Sequence, residues 1–247
     1  MKKILIAGIT AAGFCGAPAL AADLPVKARP YVAPAPVINW TGCYIGGNGG
    51  YLSGTKKFYS PSDFYGVGAN TEFVAPSVSG WAYGGQIGCD YQSDRWVFGI
   101  RGMWDASSSS GSDSVQKVDD IWKAKINSFG TVVGKIGYLV NPDIEIYGLG
   151  GLAFIRDSYS QTDPNGTNGL DSASQSRTGY DVGAGISWML TRNWDLWLEY
   201  DYMGFGTKTV NFTQYGDVNI KQNMSKLLIG IDYRFDMMGK TPVVARY

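Results

Sequence analysis

Residues 227–235 read Leu-Leu-Ile-Gly-Ile-Asp-Tyr-Arg-Phe, and the order of those nine side chains frames the whole fold. With a period of two, Leu227, Ile229, Ile231, Tyr233 and Phe235 share one face. Leu228, Gly230, Asp232 and Arg234 share the other. One face is a continuous apolar stripe that turns aromatic at its end, and the other carries charge. A soluble sandwich strand buries its apolar face and leaves the polar one to bulk water. A membrane barrel strand turns its apolar face to lipid and its polar face to the lumen. The rest of the chain has to choose between them.

Seven further segments repeat the alternation. In 40–53, Cys43, Ile45, Gly47, Gly49 and Tyr51 share a face, with Tyr44 and Asn48 opposite. In 79–91, Trp81, Tyr83, Ile87, Cys89 and Tyr91 lie against Gln86 and Asp90. Trp96, Phe98, Ile100 and Trp104 line a third segment, backed by Arg101 and Asp105. In 121–140, Trp122, Ala124, Ile126, Val132, Ile136 and Tyr138 read as outward, and Lys123, Lys125, Asn127 and Lys135 as inward. Ile144, Ile146, Leu152 and Phe154 oppose Glu145 and Tyr147. Thr178, Tyr180, Val182, Ala184, Ile186 and Trp188 oppose Arg177, Asp181 and Ser187. Trp194, Leu196, Leu198, Tyr200 and Tyr202 oppose Asp195, Glu199 and Asp201. Eight such strands predict an all-β, eight-stranded antiparallel up-and-down barrel, the smallest usual transmembrane size.

The connections alternate in length. Residues 92–95, 139–143 and 191–193 read as tight turns, whereas 54–78, 107–120, 158–174 and 204–222 read as long loops. Short periplasmic turns and long extracellular loops are the outer-membrane pattern, so both termini are expected in the periplasm. Aromatics predict two belts at the membrane interfaces. Trp40, Tyr91, Trp96, Tyr138, Trp188, Trp194 and Phe235 mark the lower one, and Tyr51, Trp81, Trp104, Trp122, Tyr180 and Tyr202 the upper.

The N-terminus agrees with export. Lys2 and Lys3 precede a short apolar run, and Ala19-Leu20-Ala21 supplies a small-x-small cleavage site, which predicts a signal peptide over 1–21. The proline-rich stretch 22–39 reads as a periplasmic tether, 40–235 as the barrel and 236–247 as a periplasmic tail. Beyond the signal no stretch approaches the roughly 18 apolar residues of a spanning helix.

Composition narrows the chemistry. The 247 residues include 34 glycines, 16 tyrosines and 8 tryptophans, and only 17 % are charged. Basic and acidic residues number 21 each, which argues against a nucleic-acid surface. Histidine is absent, and Ser-His-Asp and Cys-His catalysis go with it. Gly148-Leu-Gly150-Gly151-Leu-Ala153 fits a loose dinucleotide pattern, but the alternation runs straight through it and no helix follows. Asn165-Gly-Thr167 and Asn211-Phe-Thr213 match the glycosylation pattern only as polar loop residues would. No catalytic residue, metal ligand or cofactor is expected.

Two constellations remain. Cys43 and Cys89 have outward parity near the periplasmic rim of one hairpin, where an oxidising compartment favours a disulfide over two free thiols. The inward charges are Arg101, Lys123, Lys125, Lys135, Arg177 and Arg234 with Asp105, Glu145, Asp181, Glu199, Asp201 and Asp232. An eight-stranded lumen is just wide enough for side chains to fill, so this balanced set is expected to pair and plug it. A narrow ion path is the alternative. Glu199 and Asp201 share the inward parity of one strand, as a catalytic carboxylate pair would, but the neighbouring cations favour structural ion pairs.

Several motifs together carry a resemblance. Trp40-Thr-Gly-Cys-Tyr-Ile-Gly-Gly-Asn48, Gly130-Thr-Val-Val-Gly-Lys-Ile-Gly-Tyr138 and Tyr147-Gly-Leu-Gly-Gly-Leu-Ala153 are similar to the small outer-membrane surface antigens of alphaproteobacteria. So are Leu198-Glu-Tyr-Asp-Tyr202 and Tyr233-Arg-Phe235. The resemblance, which extends to the OmpA transmembrane barrel, implies a non-enzymatic structural or surface protein of the bacterial outer membrane. A small porin-like channel and surface capture of a ligand such as haem are its alternatives. It also implies Tyr233 and Phe235 as the insertion signal read by the barrel-assembly machinery. Lipid, lipopolysaccharide and extracellular partners of the four long loops complete the expected contacts. The tail 236–247 departs from the pattern, because such barrels commonly stop at the terminal aromatic.

Overall fold

The computed structural model describes residues 38–60, 68, 71–114, 121–162, 169–212 and 216–235. The expected signal peptide, nearly all of the tether and the tail lie outside them. Ten strands follow in order: β1 (Gly42–Tyr59), β2 (Glu72–Val74), β3 (Ser77–Ser93), β4 (Trp96–Ser107), β5 (Ser110–Ser114), β6 (Ile121–Asn141), β7 (Ile144–Thr162), β8 (Gly169–Met189), β9 (Trp194–Phe212) and β10 (Gly216–Arg234). The short β2 continues the line of β3 alongside β1, and β5 continues the line of β4 alongside β6. The ten strands therefore make eight antiparallel staves. β1 pairs with β3 on one side and with β10 on the other, which closes the ring along the lower barrel.

Interior glycines explain how so narrow a ring holds large side chains. Gly46 stands opposite Asp232, Gly84 opposite Asp105, Gly99 opposite Asp90, Gly183 opposite Asp201 and Gly230 opposite Trp197. A Cβ at any of these glycines would overlap the side chain or backbone of its partner strand. Each large inward group thus occupies the space that its cross-strand glycine leaves empty.

The wall has two regimes. Below, apolar side chains point out and charges point in. Trp81, Tyr83, Ile87 and Tyr91 on β3 are all exposed, while Gln86 and Asp90 between them are buried. At about 3.4 Å per residue and a tilt near 40°, the span from Trp81 to Tyr91 rises about 26 Å, the height of a barrel's lipid-facing band. Above that band the polarity inverts. Lys57, Ser77, Ser79, Lys123, Lys125, Arg156 and Ser176 are on the outside or part-exposed. Leu52, Phe58, Val78, Ile126, Phe129, Ile155, Met203, Phe205 and Ile220 close inside as one apolar core. That is the polarity of a barrel standing in water.

The structure corrects three expectations. The regions read as long loops are partly strand, since β1 runs on to Tyr59, β7 to Thr162, β8 starts at Gly169, β9 runs to Phe212 and β10 starts at Gly216. Next, a register shift between Ile126 and Ser128 changes the phase of β6. Ala124 and Ile126 are buried in the upper core, and Lys123 and Lys125 stand exposed on the outer wall, outside any lumen network. Finally, Trp40 is fully buried and belongs to the lumen rather than to the lower belt. The side chain of Trp122 falls outside the described ones.

Candidate functional site

Three layers fill the lumen. At the mouth on the side of the tight turns the segment before β1 turns across the opening. Trp40 packs with Ile38, Val97, Leu139 and Met189. Its backbone N–H donates to Gln92 Oε1 at 2.9 Å, and its indole N–H donates to the carbonyl of Pro142 at 3.0 Å. Arg234, the last residue of β10, donates to the Trp40 carbonyl at 3.0 Å and lies against the Trp40 and Tyr44 rings. The same guanidinium joins Asp90 at 2.9 Å and Asp195 at 2.5 Å. One arginine thus ties the last strand to the plug and to two other staves.

The middle layer is a cross-barrel ion network. Lys135 bridges Asp90 at 3.0 Å and Glu145 at 3.1 Å. Gln86 donates to Asp232 at 2.6 Å and accepts from Asn48 at 2.7 Å. Arg101 on β4 reaches Glu199 on β9 at 2.5 Å, and the Tyr147 hydroxyl donates to the other Glu199 oxygen at 2.8 Å. Lys226 sits between Asp201 at 3.0 Å and Asp181 at 3.5 Å, with its ammonium near the Phe129 ring. All of these charged groups are buried. Opposite charges at such distances in a low-dielectric interior hold each other far more firmly than surface pairs do.

The upper layer is the apolar core, crossed by one further polar group. Lys56 meets Asp157 at 2.8 Å, and Arg177 donates to the Tyr159 hydroxyl at 3.1 Å and to the Ile220 carbonyl at 2.7 Å. Side chains therefore occupy the lumen from Trp40 to the upper core.

Of the sequence-predicted lumen charges, Arg101, Lys135, Glu145, Asp181, Glu199, Asp201, Asp232 and Arg234 meet in the middle and lower layers. Asp105 is buried in the lumen, and Arg177 belongs to the upper group. Lys123 and Lys125 take no part. The network also uses residues that the sequence reading left out of it. Lys226 lies one position before the quoted stretch and shares the parity of Leu228 and Asp232, so the period of two marks it. Asp90 and Asp195 carry the same inward parity in their strands. Lys56 and Asp157 lie close to or within the segments read as loops, where no signal pointed inward. Cys43 and Cys89 are direct cross-strand partners and form a disulfide between β1 and β3 at the lower rim. Tyr233 stacks between Trp194 and Phe235 in edge-on contacts on the outer wall there. Among the described residues, no group of three or more histidine, cysteine, aspartate or glutamate side chains is arranged to hold a metal ion.

A closed ring with a lipid-facing band and a charged lumen matches a known family along nearly the whole chain: the model of the outer membrane protein beta-barrel domain matches residues 7–235. The chain belongs to the outer membrane protein beta-barrel family. Its similar relatives include the 31 kDa outer-membrane immunogenic protein of Brucella melitensis biotype 1, 29 % identical over 95 % of this chain and all of that one. The 25 kDa outer-membrane immunogenic protein of Brucella abortus biovar 1 is 30 % identical over 95 % of this chain and 99 % of that one. The 22 kDa outer membrane protein of Rhizobium leguminosarum bv. viciae is 28 % identical over 94 % and 100 %. Among solved structures, OprG from Pseudomonas aeruginosa is similar over 80 % of this chain and 98 % of its own, at 14 % identity and a TM-score of 0.48. This beta-barrel protein is thus an outer-membrane protein whose relatives include outer-membrane immunogenic proteins of Brucella.

Proposed function

We propose that this outer-membrane barrel is a closed structural stave of the envelope, neither a channel nor an enzyme, that carries its connecting segments above the outer leaflet on a rigid stalk. One observation carries the reading: the lumen is filled end to end, by Trp40 below, the ion network in the middle and the apolar core above. Ion pairs at 2.5–3.1 Å join one stave to another, Arg101 to Glu199 across the lumen and Lys135 and Lys226 to nearer staves, and bind the wall as rivets do. Glu199 and Asp201 are each engaged by a cation and are buried, so neither is placed to meet a substrate. Both ends of the described chain lie on the side of the tight turns, and we place that side in the periplasm.

Planar-bilayer recording of the refolded barrel is the test. Wild-type protein is expected to be silent, while Lys135→Ala and Glu199→Ala, which unpair the network, are expected to give flickering leak. Steady unitary steps from the wild type would overturn the closed reading and restore the porin-like alternative.

A further inference from the structure

The register places an unabsorbed set of cations on the outer wall just above the lipid-facing band. Ser110, Lys125, Ser158 and Ser174 are paired side by side across β5, β6, β7 and β8, and Ser112, Lys123, Ser160 and Ser172 form the next rung up. Arg156 lies one outward position below Ser158 on β7, is exposed, and pairs with Ser128 and Ser176. Ser110, Ser112, Lys123, Lys125, Ser158 and Ser160 line a cleft of about 520 Å³. Directly beneath stand Phe154 and, from the upper aromatic belt, Trp104 and Tyr180.

Height and charge identify the partner. Arg156 rises about 5 Å above Phe154 and Lys125 about 10 Å, at the rise and tilt of a barrel strand. The headgroup layer is itself about 5–8 Å thick on each side of the hydrocarbon, and a lysine stem lets its ammonium reach down into it. On the described outward positions of these rungs, two lysines and an arginine are flanked by serine hydroxyls, a donor set that fits phosphate oxygens. Asp113, further along β5, accepts the Ala75 amide. Elsewhere above the band Lys57 is already paired with Glu72 at 2.9 Å. We propose that the Lys123–Lys125–Arg156 face with its serine rungs binds the phosphates of a glycolipid of the outer leaflet. The outer-leaflet assignment rests on the orientation given under Proposed function.

The test is native mass spectrometry of the full refolded barrel in detergent, titrated with diphosphorylated lipid A and with the same lipid after dephosphorylation. The wild type is expected to hold the phosphorylated form about tenfold more tightly, and Lys123→Ser with Lys125→Ser to lose about that factor. Lys57→Ser is expected to bind as the wild type does. Equal binding of both lipids by the wild type, or full affinity in the double variant, would overturn the assignment. Orientation is read separately by labelling Ser112→Cys in intact cells with an impermeant maleimide. Labelling supports the outer-leaflet placement. Labelling only after lysis overturns the orientation even where the lipid discrimination stands.

Discussion

Replacing Lys226 by Met tests whether the lumen network holds the barrel together. The ammonium lies 3.0 Å from Asp201 and 3.5 Å from Asp181, and all three side chains are fully buried. Methionine keeps most of the stem volume, so little cavity is added and the loss isolates the charge. Removing one partner of a buried ion pair costs about 3–5 kcal/mol, because the remaining charge keeps its desolvation penalty without the attraction that offset it. Here two carboxylates on neighbouring staves would face each other, which places the effect toward the upper figure. With a urea slope of about 2 kcal/mol/M, the unfolding midpoint in lipid vesicles, followed by tryptophan fluorescence, should fall by about 2 M. Adding Asp201→Asn returns the trio to its wild-type net charge and should recover at least half of the loss. A single variant within about 1 kcal/mol of the wild type, or a double variant no better than the single, would refute the network as a source of stability.

Three other perturbations probe the wall itself. Gly183→Val should abolish the heat-modifiable folded band on electrophoresis, since even a Cβ there overlaps the Asp201 carboxylate, whereas Gly102→Val, which meets nothing, should fold normally. Ile100→Arg should destabilise the barrel in vesicles by about 2–4 kcal/mol, because Ile100 is 65 % exposed midway along the lipid-facing part of β4; Ser79→Arg, above the band, should change urea unfolding little. Cys43→Ser with Cys89→Ser opens a link across 46 residues, and loop-closure entropy predicts a loss of about 4 kcal/mol. Matching urea midpoints for oxidised and reduced wild type would contradict that figure.

How far the sequence reached depends on what the period of two was measured against. In the lower barrel, apolar residues alternate outward, so the sequence alone assigns Ile229, Ile231 and Tyr233 to the outer face and Asp232 and Arg234 to the inner one, and the ring of eight follows. The parity also points to the pairing of Cys43 with Cys89, because both lie on outward positions near the same rim of consecutive staves. It failed where the environment changes. Above the upper belt the strands continue, but water replaces lipid outside and the interior becomes apolar. Lys56 and Phe58 still alternate with Lys57, yet the apolar face now points inward, so a search for an outward apolar stripe finds none and reports a loop. β6 adds a second confusion, because the bulge after Ile126 shifts the phase at the place where the polarity flips. The two changes cancel in the pattern: Ala124 and Ile126 look outward by extrapolation from Val132, and Lys123 and Lys125 look inward. The same cancellation hid the basic rungs, since a lysine assigned to the lumen is not sought on the surface. Trp40 escapes the pattern for a different reason. It precedes the first strand, so no parity governs it, and its burial depends on Arg234 arriving from the other end of the chain. A plug made by one end and fastened by the other is a long-range contact that local periodicity cannot encode. It also ties ring closure to lumen closure, because the residue that ends β10 beside β1 is the one that holds Asp90, Asp195 and the Trp40 carbonyl.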